Sequence, residues 1–417
     1  MSAAPAGSIR PAPLPRPVRG ALAAWRALQR VGVGRVPLSE VSLVATARRA
    51  SGLHAFVDES FREPLRRLLA ALDEEAGLHP LGRTMLRQSL VRALVNRLRL
   101  EDLNDRHPEI ADHPVASPVF IVGLQRTGTT LLHRLLTCEP RLRPLLAWEA
   151  LNPAPFPGRR ARGDRDPRMR LAETVERGLR YLAPEFFAIH PVEAHAPEED
   201  VLLLDMSFVS PTADATLRVP SYSAWLRDVD QRPAYRYFRR LIQLLLWQRE
   251  GRWLGKTPHH LENLDALLEV FPDARIIHTH RDPVRVVASF CSMIAHGRAL
   301  FSDRVDPREV GAQLGAKAVR AVTRAMEVRD HVGGDAFLDV AYPDLVADPL
   351  GQIRRITDFV GLSSEPASER AMQEWIAANP QNKHGAHRYR LDDFGLDRLR
   401  LEKDFEPYRS RFGIRSE

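Results

Sequence analysis

Residues 119–136 read Val-Phe-Ile-Val-Gly-Leu-Gln-Arg-Thr-Gly-Thr-Thr-Leu-Leu-His-Arg-Leu-Leu, and no other stretch of the chain constrains its fold as strongly. A short apolar run breaks at Gly123, a polar loop follows from Gln125 to Thr130, and a helical apolar pattern then begins. This is a strand–loop–helix unit whose loop turns backbone N–H groups toward an anion. Gly123 and Gly128 permit backbone angles that a side chain forbids. Their spacing is that of a nucleoside-triphosphate loop, but Thr129 stands where such a loop carries Lys. A tight βα turn with ordinary helix-start threonines is the plainer alternative. Arg126 inside the loop and the hydroxyls of Thr129 and Thr130 favour the anion site.

Gln125-Arg126-Thr127-Gly128-Thr129-Thr130 resembles the 5′-phosphosulfate loop of sulfotransferases that use 3′-phosphoadenosine 5′-phosphosulfate (PAPS). The form with Arg is similar to tyrosylprotein sulfotransferases and to a large set of bacterial ones. Further blocks occur in the family's order, from about Ser60 to the C-terminus. They are Ala147-Trp148-Glu149, Ala196-Pro197-Glu198-Glu199-Asp200, Gly255-Lys256-Thr257-Pro258, Thr279-His280-Arg281-Asp282-Pro283 with Ser289, and Tyr342-Pro343-Asp344-Leu345-Val346. The resemblance implies PAPS as sulfonate donor, with residues 125–130 on the phosphosulfate. It implies Arg281 and Ser289 on the 3′-phosphate, with Arg285 a less certain partner, and Tyr342 against the nucleotide. It also implies that the basic segment holding Lys383 (383–389) closes over the nucleotide. Glu149 follows the loop at a distance similar to that of the catalytic carboxylate in tyrosylprotein-type relatives. The acceptor is less defined: relatives act on carbohydrates, glycolipids, tyrosine and small hydroxylated metabolites.

Strands alternating with helices imply an α/β fold, a P-loop-like parallel sheet covered on both faces. Strands are expected at Val119–Gly123, Trp253–Gly255, Ala274–His280 and Ala336–Ala341. Helices are expected from Thr129, His260 and Pro283 and across 349–360. Residues 170–250 read as mostly helical with a loop around Ser210–Ser223, and 152–168 as a loop. Three divisions follow: a disordered or weakly helical extension (1–37), an N-terminal helical region (38–113) and the α/β domain (114–417). Ligands of such sheets collect at the C-terminal edge of the strands. Gln125–Thr130, Lys256–His259 and Arg281–Pro283 each lie just past an expected strand, so three stretches converge on one edge.

Sulfuryl transfer places growing charge on the leaving phosphate oxygen, which N–H donors, a cation and a helix dipole stabilise. Arg126 and the N–H groups of Thr127–Thr130 suit that role, and Lys256 suits the bridging oxygen or the sulfonyl group, with a surface lysine in a strand-end turn as its plainer alternative. The acceptor hydroxyl must lose a proton, which a carboxylate takes well. Glu149 is the expected base, with a helix-capping role as its alternative and His259 next in line. Glu198, Glu199 and Asp200 either cap the following helix, line the acceptor pocket or hold an active-site Arg.

The formal net charge of +7 suits a polyanionic ligand. Positive charge comes almost wholly from Arg, with Lys only at 256, 317, 383 and 403. Arg and Lys are not interchangeable where a compact point charge is needed, which singles out Lys256 and Lys383, both close to His and Gly in candidate loops. Cys138 and Cys291 lack a disulfide framework and fit a reducing, cytoplasmic setting. No His or Cys cluster has metal spacing, so no metal is expected. Residues 18–31 suggest a basic amphipathic helix, giving at most peripheral membrane contact. No nucleic-acid motif is present. The competing readings are a P-loop kinase or NTPase, which lacks the loop Lys and a Mg²⁺-binding Asp, and a non-catalytic polyanion-binding protein. The acceptor is expected to be a small molecule, carbohydrate or lipid; its identity and the oligomeric state stay open.

Overall fold

The computed structural model describes residues 14–158, 166–363, 365–379 and 390–417. Lys383 and its neighbours in the basic segment lie outside the described residues. The apolar runs form a five-stranded sheet. Its strands are β1 (Val119–Gly123), β2 (Leu142–Pro144), β3 (Arg252–Lys256), β4 (Arg275–His280) and β5 (Phe337–Ala341), in the order β2-β3-β1-β4-β5. All neighbours pair parallel, and β1 is central: Val119 lies opposite Leu254 of β3 and Arg275 of β4.

Side-chain alternation along β1 explains its unbroken apolar sequence, since a strand covered on both faces has no polar side. Val119 and Ile121 pack with Leu132, Leu135 and Leu136 of the helix Thr129–Leu136, Ile353 and Ile356 of Pro349–Phe359, and Met372 of Pro366–Ala378. Phe120 and Val122 join Tyr235 and Phe238 of Arg232–Gln248, Val287 of Pro283–Arg298 and Leu314 of Pro307–Val332. Each fully buried side chain of this size stabilises by about 1.5–3 kcal/mol relative to exposure. The two layers leave the C-terminal ends of β1, β3 and β4 open between them.

Glu40–Ser51, Arg62–Glu74 and Pro80–Arg106 are helical and share a separate apolar cluster with Phe208, Leu217, Tyr222 and Leu226. Ser39 accepts from the N–H of Ser42 to start the first of them. The helix Arg16–Arg30 buries only Leu22; Arg26 pairs with Asp303. No helix of the described residues is long and apolar enough to cross a membrane.

Three expectations about elements change. The region Ser210–Ser223 is not one loop: helices Pro211–Thr216 and Pro220–Asp228 fill much of it. Each proline occupies the start of its helix, where a missing N–H costs nothing. A 3₁₀ turn, Pro258–Asn263, precedes the helix Leu264–Val270, which therefore begins later than His260. The edge strand β2 has no counterpart among the expected strands.

Candidate active site

The loop after β1 is held in a strained form. Gly123 has φ 148° and Gly128 φ 91°, both outside the range that side chains favour. Arg126 itself stands at φ 68°, a left-handed conformation uncommon for a residue with a side chain. Such strain persists only where surroundings impose it. Here Thr127 imposes it: its hydroxyl donates to Leu124 O (2.6 Å) and meets Thr279 Oγ1 of β4 (2.7 Å). Thr127 is fully buried, whereas Arg126 and Thr130 are exposed. The helix from Thr129 has Gly128 as its N-cap and no side-chain cap. A Cβ on Gly128 would lie 2.9 Å from Tyr342 Cδ2. A bare helix start, an exposed guanidinium and a glycine-only approach make a cradle for an anion.

β3 ends beside this cradle. Lys256, opposite Ile121, is buried, and its Nζ donates to Glu199 Oε1 at 2.6 Å. The Thr257 hydroxyl donates to Glu199 Oε2 at 3.2 Å. Burial pushes the Glu199 carboxyl up, but the Lys256 ammonium, His190 and the two hydrogen bonds outweigh it and hold it below the usual range. Asp200 next to it has the opposite balance. Burial dominates there and raises its pKa against the pull of His260, whose Nε2 lies 3.2 Å away. Gly255 is glycine because a Cβ there would run into Asp200 Oδ2 and the Phe120 ring.

β4 ends in Arg281. Its Nη1 donates to Arg126 O at 3.1 Å, and its guanidinium carbon sits 4.0 Å from the centre of the Tyr342 ring. The Glu417 carboxylate fills the rest of the fork at 2.7–3.0 Å. Ser289, two turns along the following helix, is buried and stands off the cavity wall. Arg285 in the same helix is exposed.

One cavity of about 790 Å³ joins these pieces. Gln125, Arg126, Gly128, Thr129, Thr130, Arg281 and Tyr342 line it, with Trp375 and Ile376 from one helical layer. Phe186, Phe290, Met293, Ile294, Ala318 and Ala321 line it from the other layer, and Glu199, Thr257 and His259 stand on the wall as well. The cavity thus crosses the open edge of the sheet from an anion cradle to an apolar chamber. At the chamber, Lys317 is paired with Asp214 and, at 3.3 Å, with Glu262. His259 is buried there, and burial, reinforced by Lys317 and His260, keeps it neutral well below the usual histidine range.

A sulfotransferase-family model matches residues 118–366, which is more than half of the chain and contains the loop, Lys256 and Arg281. This chain belongs to the sulfotransferase family. The crystal structure of sulfotransferase STF1 from Mycobacterium tuberculosis is similar, with 34% identity and a TM-score of 0.77, over 88% of this chain and 98% of that one. That of STF9 from Mycobacterium avium has 29% identity and a TM-score of 0.83, over 91% and 98% of the two chains. The omega-hydroxy-beta-dihydromenaquinone-9 sulfotransferase Stf3 of Mycobacterium bovis is 28% identical over 305 residues, 68% of this chain and 73% of its own.

In this sulfotransferase Glu149 does not stand where the expected base should. Both oxygens are held by buried Arg143, at 2.7 and 2.8 Å, and one also accepts the N–H of Leu146 at 3.0 Å. Glu149 is 3% exposed and, among the described residues, is not on the cavity wall. Its position is the helix-capping one, strengthened by an ion pair. Of the acidic cluster that the sequence left undecided, Glu198 and Glu199 reach the wall, and Glu199 is the one bonded to Lys256. Its signal was present in the acidic cluster, but its partner lies 57 residues away and no local pattern joins them. A His278, His280 and Asp339 group also has metal-like spacing. Arg329 supplies the cation there, 2.6 Å from Asp339 Oδ1 and 3.1 Å from His278 Nδ1.

Proposed function

We propose that this sulfotransferase takes its sulfonyl group from PAPS and transfers it in line to a hydroxyl on a largely apolar acceptor. The observation that carries this reading is the single cavity joining an anion cradle to an apolar chamber. PAPS supplies the activated sulfonyl group; the chain supplies position and charge. We assign the 5′-phosphosulfate to the backbone N–H groups of Thr127–Thr130 and to Arg126. Gln125 borders it. Arg281, backed by Tyr342 and helped by Ser289, is assigned to the 3′-phosphate, since a forked guanidinium suits phosphate. Glu417 now fills that fork, and its carboxylate has the charge and spread of part of a phosphate. Lys256 is assigned to the charge that develops on the leaving oxygen. These fixed cations make a metal ion unnecessary in this scheme.

The chamber wall is mostly apolar, with Phe186, Phe290, Met293 and Ile294 beside Thr212, Thr216, Glu262 and Lys317, which supports a lipid-like or aromatic alcohol over a sugar, most of whose hydroxyls would face apolar wall. The name of the Stf3 relative, a sulfotransferase of a hydroxylated menaquinone, supports the same class. The free cysteines Cys138 and Cys291 fit the reducing compartment expected from the sequence.

Two measurements test the reading. Calorimetry should show 3′,5′-ADP binding without Mg²⁺ and much tighter than 5′-AMP; Mg²⁺-dependent ATP binding would instead make the protein a kinase or NTPase. Sulfur-labelled PAPS offered with dodecanol and with glucose should label dodecanol. Labelling of glucose alone would overturn the acceptor class.

A further inference from the structure

We propose that Glu199 and Lys256 are a donor-sensing pair: Glu199 is the proton acceptor for the acceptor hydroxyl, and Lys256 restrains it until the phosphosulfate draws the ammonium away. The proposal rests on the sulfotransferase reading above and adds a catalytic residue and a coupling to it.

The geometry is specific. Side chains alternate along β3, so Lys256 shares the face of Leu254, which packs with the loop helix Thr129–Leu136. His133 of that helix feels the charge of Lys256. The Lys256 side chain thus runs on the sheet face covered by the loop helix, with its ammonium bonded to Glu199. Glu199 lies on the cavity wall with Thr257, while Lys256 stands behind it. Glu199 thus faces the cavity, and the ammonium backs it.

Glu199 is surrounded by Lys256 and Thr257 from the end of β3, His190 from the segment after the helix Pro184–Ile189, and its chain neighbours Glu198 and Asp200, with His260 acting through Asp200. Burial is the largest influence on it and favours the neutral acid; the Lys256 ammonium is the largest opposing one. While the ion pair holds, Glu199 is a poor proton acceptor. Once the ammonium turns to a phosphosulfate, burial prevails and the carboxylate becomes basic beside the hydroxyl. The hydroxyl proton then passes to a Glu199 oxygen as the new O–S bond forms. The S–O bond to the 5′-phosphate breaks, and its electron pair stays on the phosphate oxygen next to Lys256. Base strength appears only with the donor in place, so the charge needed by the leaving group and the base needed by the acceptor are released by one movement.

The test uses the full chain. Binding of 3′,5′-ADP is measured by calorimetry at pH 6 in two buffers of different ionisation enthalpy, for the parent and Glu199→Gln. The parent should take up more protons on binding than Glu199→Gln, with affinities within a few-fold of each other. With dodecanol as probe acceptor, Glu199→Gln should lose roughly 10²-fold in kcat while KM for PAPS changes little. If Glu199→Gln fails to fold, Lys256→Gln serves: its Glu199 is unrestrained beforehand, so 3′,5′-ADP should bring no extra proton. Equal proton uptake by parent and variant, or parental kcat in Glu199→Gln, overturns the proposal. A parent that does not bind 3′,5′-ADP overturns the sulfotransferase reading itself.

Discussion

At the residue scale, the two arginines at the strand ends carry the most specific expectation. Arg126 is exposed in a left-handed conformation, and Arg281 hydrogen-bonds to its carbonyl, so the two guanidiniums flank one cradle. Arg126→Ala and Arg281→Ala should each weaken 3′,5′-ADP binding at least about tenfold, roughly 1.4 kcal/mol, by calorimetry. Parental affinity in both would move the nucleotide elsewhere. Glu417→Gln should act in the opposite sense, because its carboxylate competes for Arg281. The gain should stay under about fivefold, since a partly exposed ion pair contributes about 0–1 kcal/mol. Glu149 calls for a different measurement. Glu149→Gln leaves Arg143 charged and buried without its counter-ion, which should lower stability by about 3–5 kcal/mol in denaturant unfolding. Nucleotide affinity of the folded protein should be unchanged. A Glu149→Gln variant of parental stability but abolished turnover would return the catalytic role to it. The sequence could not separate these outcomes: Glu149 is an acid in a helix start whether it faces solvent, substrate or Arg143.

At the element scale, the loop between β1 and its helix depends on Gly128. A side chain there must accept φ 91° and also displace Tyr342 and Leu345, whose nearest atoms would lie 2.9 and 3.0 Å from a Cβ. The left-handed conformation alone costs about 1–2 kcal/mol. Gly128→Ala should therefore lower 3′,5′-ADP affinity by about tenfold or more, with Tyr342 fluorescence or nucleotide calorimetry as readout; an unaffected variant would show that the loop has another conformation when bound. This element was legible because glycine spacing and an apolar run are local signals. β4 and β5 were legible from weaker local signals: Ile276 and Ile277 ahead of Arg281-Asp282-Pro283, and Phe337, Leu338 and Val340 ahead of Tyr342-Pro343. β2 was not. It has three residues, one of them the buried Arg143 and one Pro144, and it exists because β3 offers it an edge and Glu149 offers Arg143 a partner. Ser210–Ser223 was expected as a loop, and its Pro211 and Pro220 look alike in sequence whether they start a helix or sit in a loop. Tertiary contacts decide which: Leu217, Tyr222 and Leu226 bury against the N-terminal helices.

At the scale of the whole molecule, the cavity is a property that no segment owns. Its cradle belongs to β1 and the helix after it, its Arg281 guanidinium to the turn after β4, the carboxylate paired with Lys256 to residue 199 and its apolar wall to helices in the layer opposite the loop helix. Convergence of three motifs on one sheet edge could be read from the sequence, because the parallel sheet dictates it. The chamber could not, since Phe186, Met293 and Ala321 sit in helices whose sequence pattern is that of ordinary packing. A ligand that touches the cradle and Arg281 together bridges the ends of β1 and β4 and should stabilise the fold as a unit. At one hundred times its dissociation constant, 3′,5′-ADP should add about 2.7 kcal/mol, which raises the unfolding temperature by a few degrees. At equal concentration 5′-AMP should add much less, because it lacks the phosphate assigned to Arg281. Arg281→Ala should bring the two nucleotides together. Equal shifts for both nucleotides in the parent would mean that the strand-end arginine reads no second phosphate, and that the cavity selects its donor by the 5′-end alone.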